Sequence, residues 1–98
     1  MAENRTIKLF GKPGCAKCKT TKNKLEFFLP KWNVSNQVKM SFYDMDTVEG
    51  LAEGAFYDVD NVPTTIVEKD GKEIKRWELE VPPSKEMEVL VKDRKSVV

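Results

Sequence analysis

The strongest constraint on the fold of this sequence is a hairpin signal in its second half. Two runs rich in strand-forming residues, 64–69 and 72–79, are separated by Asp70-Gly71. An Asp-Gly pair supplies the positive φ angles that a tight two-residue turn requires. The sequence therefore predicts that these two runs pair as neighbouring antiparallel strands.

The first half has the pattern of a strand–helix–strand unit. Residues 6–10 are typical of a strand, which Gly11, Pro13 and Gly14 end. A helix is predicted from Ala16, and because Pro30 disfavours helical geometry at the residue before it, the regular helix should end near Leu29. Residues recurring at steps of three and four form its inner stripe: Cys18, Thr21, Leu25, Phe28, Leu29 and Trp32. Residues 38–44 alternate as a second strand, which should run parallel to the first through a right-handed connection.

Two further helices complete the order of elements. Asp46 or Thr47 can cap a short helix that runs to about Phe56 and that Gly50 and Gly54 weaken. The residues expected on its inner face are Val48, Leu51, Ala52 and Ala55. A last helix is predicted over 85–93, with Met87, Leu90 and Val91 facing inward.

The chain is therefore predicted to be one α/β domain, residues 1–98, with the order β-α-β-α-β-β-α. A four-stranded mixed sheet should be flanked by helices. Residues 33–36 are expected to form a loop, and residues 94–98 a loose tail. Most aromatic residues are expected in the core, with Trp32 as a surface cover near the end of the first helix. The expected core aromatics are Phe10, Phe27, Phe28, Phe42 and Trp77.

Charge and hydropathy exclude several classes of protein. The formal net charge is +1, which argues against nucleic acid as a partner, since duplex-binding proteins usually carry a strongly basic face. No segment approaches the ~18 consecutive apolar residues of a membrane span, and the amino terminus lacks the apolar core of a signal peptide. We expect a monomer that works in the cytoplasm without binding membranes.

The chain has two cysteines, Cys15 and Cys18, at the predicted start of the first helix. A structural zinc site needs four ligands, usually Cys or His, and the chain has no histidine, so no metal is expected. A structural disulfide would close a very short loop and stabilise the fold little, and it would be unusual in a reducing compartment. The pair is therefore predicted to be a redox couple that needs no other cofactor.

The position of each cysteine predicts its role. If the helix begins at Ala16, Cys15 is its N-cap, where free N–H groups and the positive end of the helix dipole favour a thiolate. We therefore assign Cys15 as the nucleophile. Cys18 begins the inner stripe and should be the partly buried resolving thiol. Residues 5–25 contain seven basic residues and no acid; Lys12, Lys17 and Lys19 lie close to Cys15 in sequence, whereas Lys22 and Lys24 are expected on a solvated helix face.

The C-x-x-C pair after the first strand, together with Asn61-Val62-Pro63-Thr64-Thr65 at the entry to the third strand, resembles the thioredoxin/glutaredoxin family over roughly residues 6–93. The resemblance implies a thioredoxin fold and a cis Val62–Pro63 bond that faces the cysteines. It also implies that the backbone of Val62 is free to pair with an extended segment, and we expect Lys12, Val62, Pro63 and Thr64 to bind substrate. Ala16-Lys17 between the cysteines matches neither common type, and a small glutaredoxin-like protein doing thioredoxin-type work is the nearest description.

The function predicted from these features is thiol-disulfide oxidoreduction, in which the Cys15/Cys18 pair reduces protein disulfides. Its partners would be disulfide-containing proteins and an upstream reductase or a low-molecular-weight thiol. Two alternatives remain open. The chain could be a non-catalytic adaptor that binds proteins through the Val62–Pro63 groove, or a glutathione-dependent glutaredoxin.

Overall fold

A computed structural model describes residues 5–32 and 38–92. The strands are β1 (Arg5–Gly11), β2 (Val38–Asp44), β3 (Thr64–Lys69) and β4 (Lys72–Glu78). The helices are α1 (Ala16–Lys31), α2 (Val48–Phe56) and α3 (Ser84–Lys92). The predicted order of elements is confirmed. The loop expected at 33–36 and the tail expected at 94–98 lie outside the described residues.

The four strands form one mixed sheet in the order β2-β1-β3-β4. β1 and β2 are parallel, and β3 pairs antiparallel with both β1 and β4. The turn between β3 and β4 has φ values of 54° at Asp70 and 86° at Gly71, as the Asp-Gly pair predicts. The mixed sheet, the parallel first unit and the hairpin are therefore all confirmed.

The two faces of the sheet carry separate cores. On one face, buried side chains of α1 and α3 pack against the strands, with Ile7 on the central strand β1, Trp77 on the edge strand β4, and Leu25 and Met87 on the helices. On the other face, Phe10 and Ile66 pack with Met45 and Val59, which flank α2 in the chain. The predicted inward positions of α3 are confirmed for Met87 and Val91, each 2% exposed. The sheet is thus covered on both sides, and its strand ends remain to carry a site.

Helix α1 continues two residues beyond the end that Pro30 predicts. It ends at Lys31, and the backbone N–H of Trp32 still donates to the carbonyl of Phe28 at 2.8 Å. The rings of Phe28 and Trp32 stack with centroids 5.1 Å apart. A proline in the last turn removes only one backbone hydrogen bond, and here the aromatic stack and the following N–H hold that turn in place.

The predicted inner face of α2 is wrong. Val48 is 80% exposed, Leu51 is 54% exposed, and the buried residues of the helix are Gly50 and Gly54. Thr47 caps the helix as expected, its Oγ1 accepting from the N–H of Gly50 at 3.0 Å. The helix lies so close to the end of β2 that glycines must face the sheet, which turns the apolar side chains outward. Ala52 and Ala55 are exposed with them.

Two of the aromatic residues expected in the core are not there. Phe10 and Trp77 are buried and Phe28 is half-buried, but Phe27 is 61% exposed and Phe42 is 41% exposed. Phe27 lies on the outer side of α1, where its ring meets the edge of the Phe28 ring. Phe42 lies on β2, an edge strand, where one side of the ring has no neighbouring strand to cover it.

Candidate functional site

Cys15 and Cys18 form a disulfide at the start of α1, with Cα atoms 5.2 Å apart. Cys15 is the N-cap of the helix, and its Sγ accepts a hydrogen bond from the N–H of Cys18 at 3.1 Å. A turn precedes it, in which the N–H of Cys15 donates to the carbonyl of Lys12 and Gly14 has a φ of 83°. The glycine supplies the left-handed geometry that brings the chain from β1 into the helix. The predicted N-cap position of Cys15 is therefore confirmed.

The two sulfurs differ in access. Cys15 is half-buried at the surface, whereas Cys18 is 2% exposed and lies against β1. A Cβ atom placed on Gly11 would lie 2.8 Å from Cys18 Sγ and 2.9 Å from Cys18 Cβ. Gly11 thus permits the close contact of α1 with β1 that buries this sulfur. A molecule approaching from solvent meets Cys15 first.

The Val62–Pro63 bond is cis, as the resemblance implies. Thr64 pairs with Phe10 at one end of the β1–β3 ladder, and Pro63 and Gly11 are the next residues beyond this pair. Val62 is half-buried, and within residues 5–32 and 38–92 its N–H and C=O make no hydrogen bond. The side chain of Thr64 is fully buried, and its hydroxyl donates to the carbonyl of Asn61 at 2.7 Å.

Leu79 connects α1 to the Val62–Pro63 segment, and the sequence did not identify it. Lys17 Nζ donates to the carbonyl of Leu79 at 3.2 Å, and the N–H of Leu79 donates to the carbonyl of Pro63 at 2.8 Å. Leu79 has a φ of 63°, a left-handed geometry that is rare for a leucine, and its side chain is about half exposed. No local sequence signal marks this geometry, because leucine does not favour it.

The lysines around the cysteines differ in their partners. Lys12 lies 4.0 Å from Asp46, with both side chains about half exposed. Lys24 is half-buried and donates to the carbonyl of Pro82 at 2.7 Å, so its expected place on a solvated face is wrong. Lys19 and Lys22 are exposed, and in the part of the chain that the structure describes neither side chain makes a hydrogen bond or an ion pair.

A cleft of about 420 Å³ opens beside Cys15 on the side of β2. Its walls come from the turn before the disulfide, the first two turns of α1 and the end of β2. The lining residues are Lys12, Pro13, Gly14, Cys15, Ala16, Cys18, Lys19, Lys22, Phe42 and Asp44. Val62 and Pro63 are not among them, so Lys12 and these two residues, which were expected to act together, do not share the cleft.

Phe42 and Asp44 belong to this cleft although sequence reasoning placed neither in the site. The signal was present in the topology. Because β1 and β2 are parallel, their carboxyl ends meet at the same edge of the sheet, where α1 begins. Gly11, next to the cysteine loop, pairs with Asp44, and Leu9 pairs with Phe42.

A second group of ionisable residues lies on the opposite face of the sheet, since Lys8 and Gly11 alternate along β1. Lys8 Nζ lies 3.3 Å from Glu53 and 4.0 Å from Glu68, and 5.2 Å from the centre of the Tyr57 ring. Burial alone would lower the pKa of Lys8, but the hydrogen bond to Glu53 and the nearby Glu68 carboxylate hold it above its ordinary value. Burial and the hydrogen bond with Glu68 raise the pKa of Tyr57. The charge of Lys8 is offset by Glu53 and Glu68 on the face of the sheet that α2 covers, and this group does not contact the disulfide.

Neither a metal site nor a membrane span is found in residues 5–32 and 38–92. No three His, Cys, Asp or Glu residues in this part of the chain are grouped so that they could hold a metal ion. No helix in it is both long and apolar enough to cross a membrane.

No family model and no curated protein matches the sequence. Among solved structures, thioredoxin-2 of the malaria parasite is 18% identical, with a TM-score of 0.76 over 96% of this chain and 86% of that one. A Halobacterium salinarum thioredoxin mutant is 18% identical, with a TM-score of 0.76 over 97% of this chain and 78% of that one. Fasciola hepatica thioredoxin is 24% identical, with a TM-score of 0.73 over 95% of this chain and 84% of that one. The chain therefore has a thioredoxin-like fold, with a C-x-x-C disulfide at the first turn of its first helix.

Proposed function

We propose that the protein is a thiol-disulfide oxidoreductase that reduces disulfides in other proteins. The observation that carries the proposal is the placement of the Cys15–Cys18 pair, with one sulfur accessible at a helix start and the other buried beneath it. A dithiol that exchanges with a substrate needs this asymmetry, because one thiolate must meet the substrate and the other must resolve the product. The thioredoxin-like fold is consistent with that use, although a fold alone does not assign a function.

The reaction begins with the reduced pair. The Cys15 thiolate attacks one sulfur of the substrate disulfide, forms a mixed disulfide and releases the other substrate sulfur as a thiolate, which takes up a proton. Cys18 then loses its proton and attacks Cys15 Sγ, which releases the second substrate sulfur as a thiol and leaves the Cys15–Cys18 disulfide. Two electrons have passed to the substrate. A dithiol reductase or a low-molecular-weight thiol must return them.

The surroundings of Cys15 favour its thiolate. The N–H of Cys18 already points at Cys15 Sγ, and the first turn of α1 presents its other unpaired N–H groups in the same direction. Lys12 and Lys19 add positive charge at the edge of the same cleft. Because such a couple needs continual reduction, we place its activity in the cytoplasm, where thiol reductants are maintained.

Reduction of insulin by dithiothreitol tests the proposal. We expect the folded protein to accelerate the precipitation of the insulin B chain at catalytic concentration. A protein that is folded by circular dichroism but gives no acceleration over dithiothreitol alone would contradict the proposal, and binding of partners without turnover would then favour the adaptor.

Two single variants test the assigned roles. Cys15→Ser should abolish turnover, because Cys18 is 2% exposed and cannot meet a protein substrate. Cys18→Ser should still attack and should accumulate a mixed disulfide that mass spectrometry detects. In the reduced wild type, iodoacetamide should modify Cys15 first near neutral pH. Equal alkylation rates of the two thiols would be inconsistent with the assignment.

A further inference from the structure

We infer that the cleft on the β2 side of the disulfide binds the chain segment next to the target cysteine, and that it selects segments carrying carboxylate side chains beside an apolar one. The inference rests on the proposed function and adds the class of substrate. It is carried by four features of the cleft: its position at Cys15, its size, its unpaired lysines and its aromatic wall.

The position and size suit a short peptide segment. The cleft contains Cys15 in its lining, so a segment bound there lies beside the attacking sulfur. Its volume of about 420 Å³ lies within the range of about 300–1,000 Å³ of sites that enclose small organic ligands. A few residues of an extended chain fill such a volume.

The charge of the cleft comes from lysines that the protein itself leaves unpaired. Within the described residues, neither Lys19 nor Lys22 meets a carboxylate, and Lys12 meets Asp46 only at 4.0 Å with both groups near half exposure. Asp44 is the one acid in the lining, and its Oδ1 already accepts a hydrogen bond from the N–H of Asp46 at 2.8 Å. The three ammonium groups outnumber the two nearby carboxylates, Asp44 in the lining and Asp46 beside Lys12, and the excess positive charge attracts acidic side chains and disfavours basic ones.

The aromatic wall supplies an apolar contact. Phe42 is 41% exposed on the edge strand, and Lys22 Nζ lies 5.7 Å from the centre of its ring. A ring held beside a cation in this way can pack an apolar side chain of the substrate while the ammonium group binds a neighbouring carboxylate. The segment around Val62 lacks this combination, since the chain before it carries Asp58 and Asp60.

The test compares two disulfide-linked peptides of one length, both with leucine next to the cysteine, one flanked by glutamates and the other by lysines. Neutral 2-hydroxyethyl disulfide is the reference substrate. For the wild type, kcat/KM should be about fivefold higher for the acidic peptide than for the basic one at low salt, and the ratio should shrink at high salt. Lys22→Glu should lower the ratio of acidic peptide to reference by about fivefold, the size expected when one surface attraction becomes a repulsion.

Lys72→Glu is the matched control, because it makes the same charge change at an exposed position. Lys72 is the first residue of β4, at the end of that strand away from the disulfide. The variant should leave the ratio of acidic peptide to reference unchanged. Phe42→Ser should lower the rate for the acidic peptide, and restoring a ring with Phe42→Tyr should recover it. An equal shift in Lys72→Glu and Lys22→Glu, or a wild type that treats both peptides alike, would overturn the inference.

A binding measurement separates this inference from the proposed function. The oxidised protein is titrated with the acidic peptide in which serine replaces cysteine, and amide shifts are followed by NMR. We expect shifts at Lys19, Lys22 and Phe42, and weaker binding to Lys22→Glu. Failure to reduce insulin would contradict the proposed function alone, whereas absence of these shifts would contradict the cleft as the binding site.

Discussion

Two glycines of α2 give a sharp test of how this helix packs, because the same substitution at each should have a different outcome. Gly50 and Gly54 both face the protein interior. Replacing glycine by alanine inside a helix gains about 1 kcal/mol from helix propensity alone. If propensity decided the result, Gly50→Ala and Gly54→Ala would both stabilise the protein by about that amount.

The contacts at Gly50 reverse this expectation. A Cβ atom there would overlap the backbone carbonyl of Asp44 and lie 3.1 Å from Thr47 Oγ1. That carbonyl already accepts hydrogen bonds from the N–H and the hydroxyl of Thr47, at 3.0 Å and 2.7 Å. Neither group can move without breaking the turn that caps the helix, so the cost lies near the upper end of the overpacking range, about 3 kcal/mol. After the propensity gain of about 1 kcal/mol, Gly50→Ala should lower the free energy of unfolding by about 2 kcal/mol.

At Gly54 the obstacle can move. The nearest atoms to a new Cβ are Met45 Cε at 2.6 Å and Met45 Sδ at 3.1 Å, the far end of a flexible side chain. Methionine repacks easily, so we assign a cost of about 1 kcal/mol, which the propensity gain offsets. Gly54→Ala should therefore leave the free energy of unfolding within about 0.5 kcal/mol of the wild type.

Urea unfolding of the oxidised proteins, followed by tryptophan fluorescence and circular dichroism, measures both changes. Ala52→Gly is the calibration, because Ala52 is exposed on the same helix and its replacement should cost about 1 kcal/mol through propensity alone. A Gly50→Ala variant as stable as the wild type would refute the close approach of α2 to the end of β2.

Four other substitutions test contacts nearer the sheet. Gly11→Ala should lower the free energy of unfolding by about 1–2 kcal/mol and should slow disulfide exchange, because the new Cβ would lie 2.8 Å from Cys18 Sγ. An unchanged urea midpoint together with an unchanged exchange rate would contradict this contact. Thr65→Val should be neutral or stabilising, since the buried Thr65 hydroxyl has no hydrogen-bond partner among the described residues. Thr64→Val should lower the free energy of unfolding by about 1 kcal/mol, because it removes the hydrogen bond that the Thr64 hydroxyl donates. An equal loss of unfolding free energy for both variants in urea would argue against this difference. The raised pKa of Lys8 means that the folded state holds its proton longer than the unfolded state, so its stabilisation is complete below the ordinary pKa of 10.5 and is lost as pH rises above it. Stability measured from pH 9 to 11.5 should therefore fall more steeply in the wild type than in Lys8→Met, and parallel curves would refute the ion pairing.

The sequence predicted the elements whose signals are local. Asp70-Gly71 specifies its turn through backbone geometry, and Cys15 becomes an N-cap because the glycines before it end β1. Neither prediction depends on what packs against the element. For the same reason, the order of strands and helices could be predicted before any contact between them was known.

The inner face of α2 could not be predicted in this way. Its apolar residues recur with helical spacing, which normally marks the face toward the core. The structure instead presents Val48 and Leu51 to solvent and Gly50 to the sheet. What decides the orientation is the distance between the helix and the end of β2, a tertiary quantity that periodicity does not contain.

Phe42 was misjudged for a related reason, and Lys22, although exposed as expected, was not recognised as part of the site. An aromatic residue in an alternating strand is usually core, and a lysine on a helix is usually solvated. Only the edge position of β2 leaves the Phe42 ring uncovered, and only the parallel pairing of β1 and β2 brings it beside the first turns of α1. The cysteines could be identified from spacing, whereas the cleft beside them required the order of strands.

The topology also explains the separation of basic and acidic residues along the sequence. Residues 5–25 carry seven basic side chains and no acid, and residues 40–68 carry seven acids and no base. The fold brings the two segments together and pairs Lys8 with Glu53 and Glu68, and Lys12 with Asp46. Most of the other basic side chains donate hydrogen bonds to backbone carbonyls in the second half of the chain. They are the side chains of Arg5, Lys17 and Lys24.

Lys19 and Lys22 are the two members of the basic segment that this pairing does not use within the described residues, and both line the cleft beside Cys15. If the basic segment served only to hold the domain together, unpaired lysines would have no reason to lie at the disulfide rather than elsewhere on the surface. A charge that is already paired within the protein attracts a partner only weakly. Screening limits the reach of an unpaired charge to about 8–10 Å at ordinary salt. The positive charge that remains is therefore placed where it can act on whatever meets the accessible sulfur.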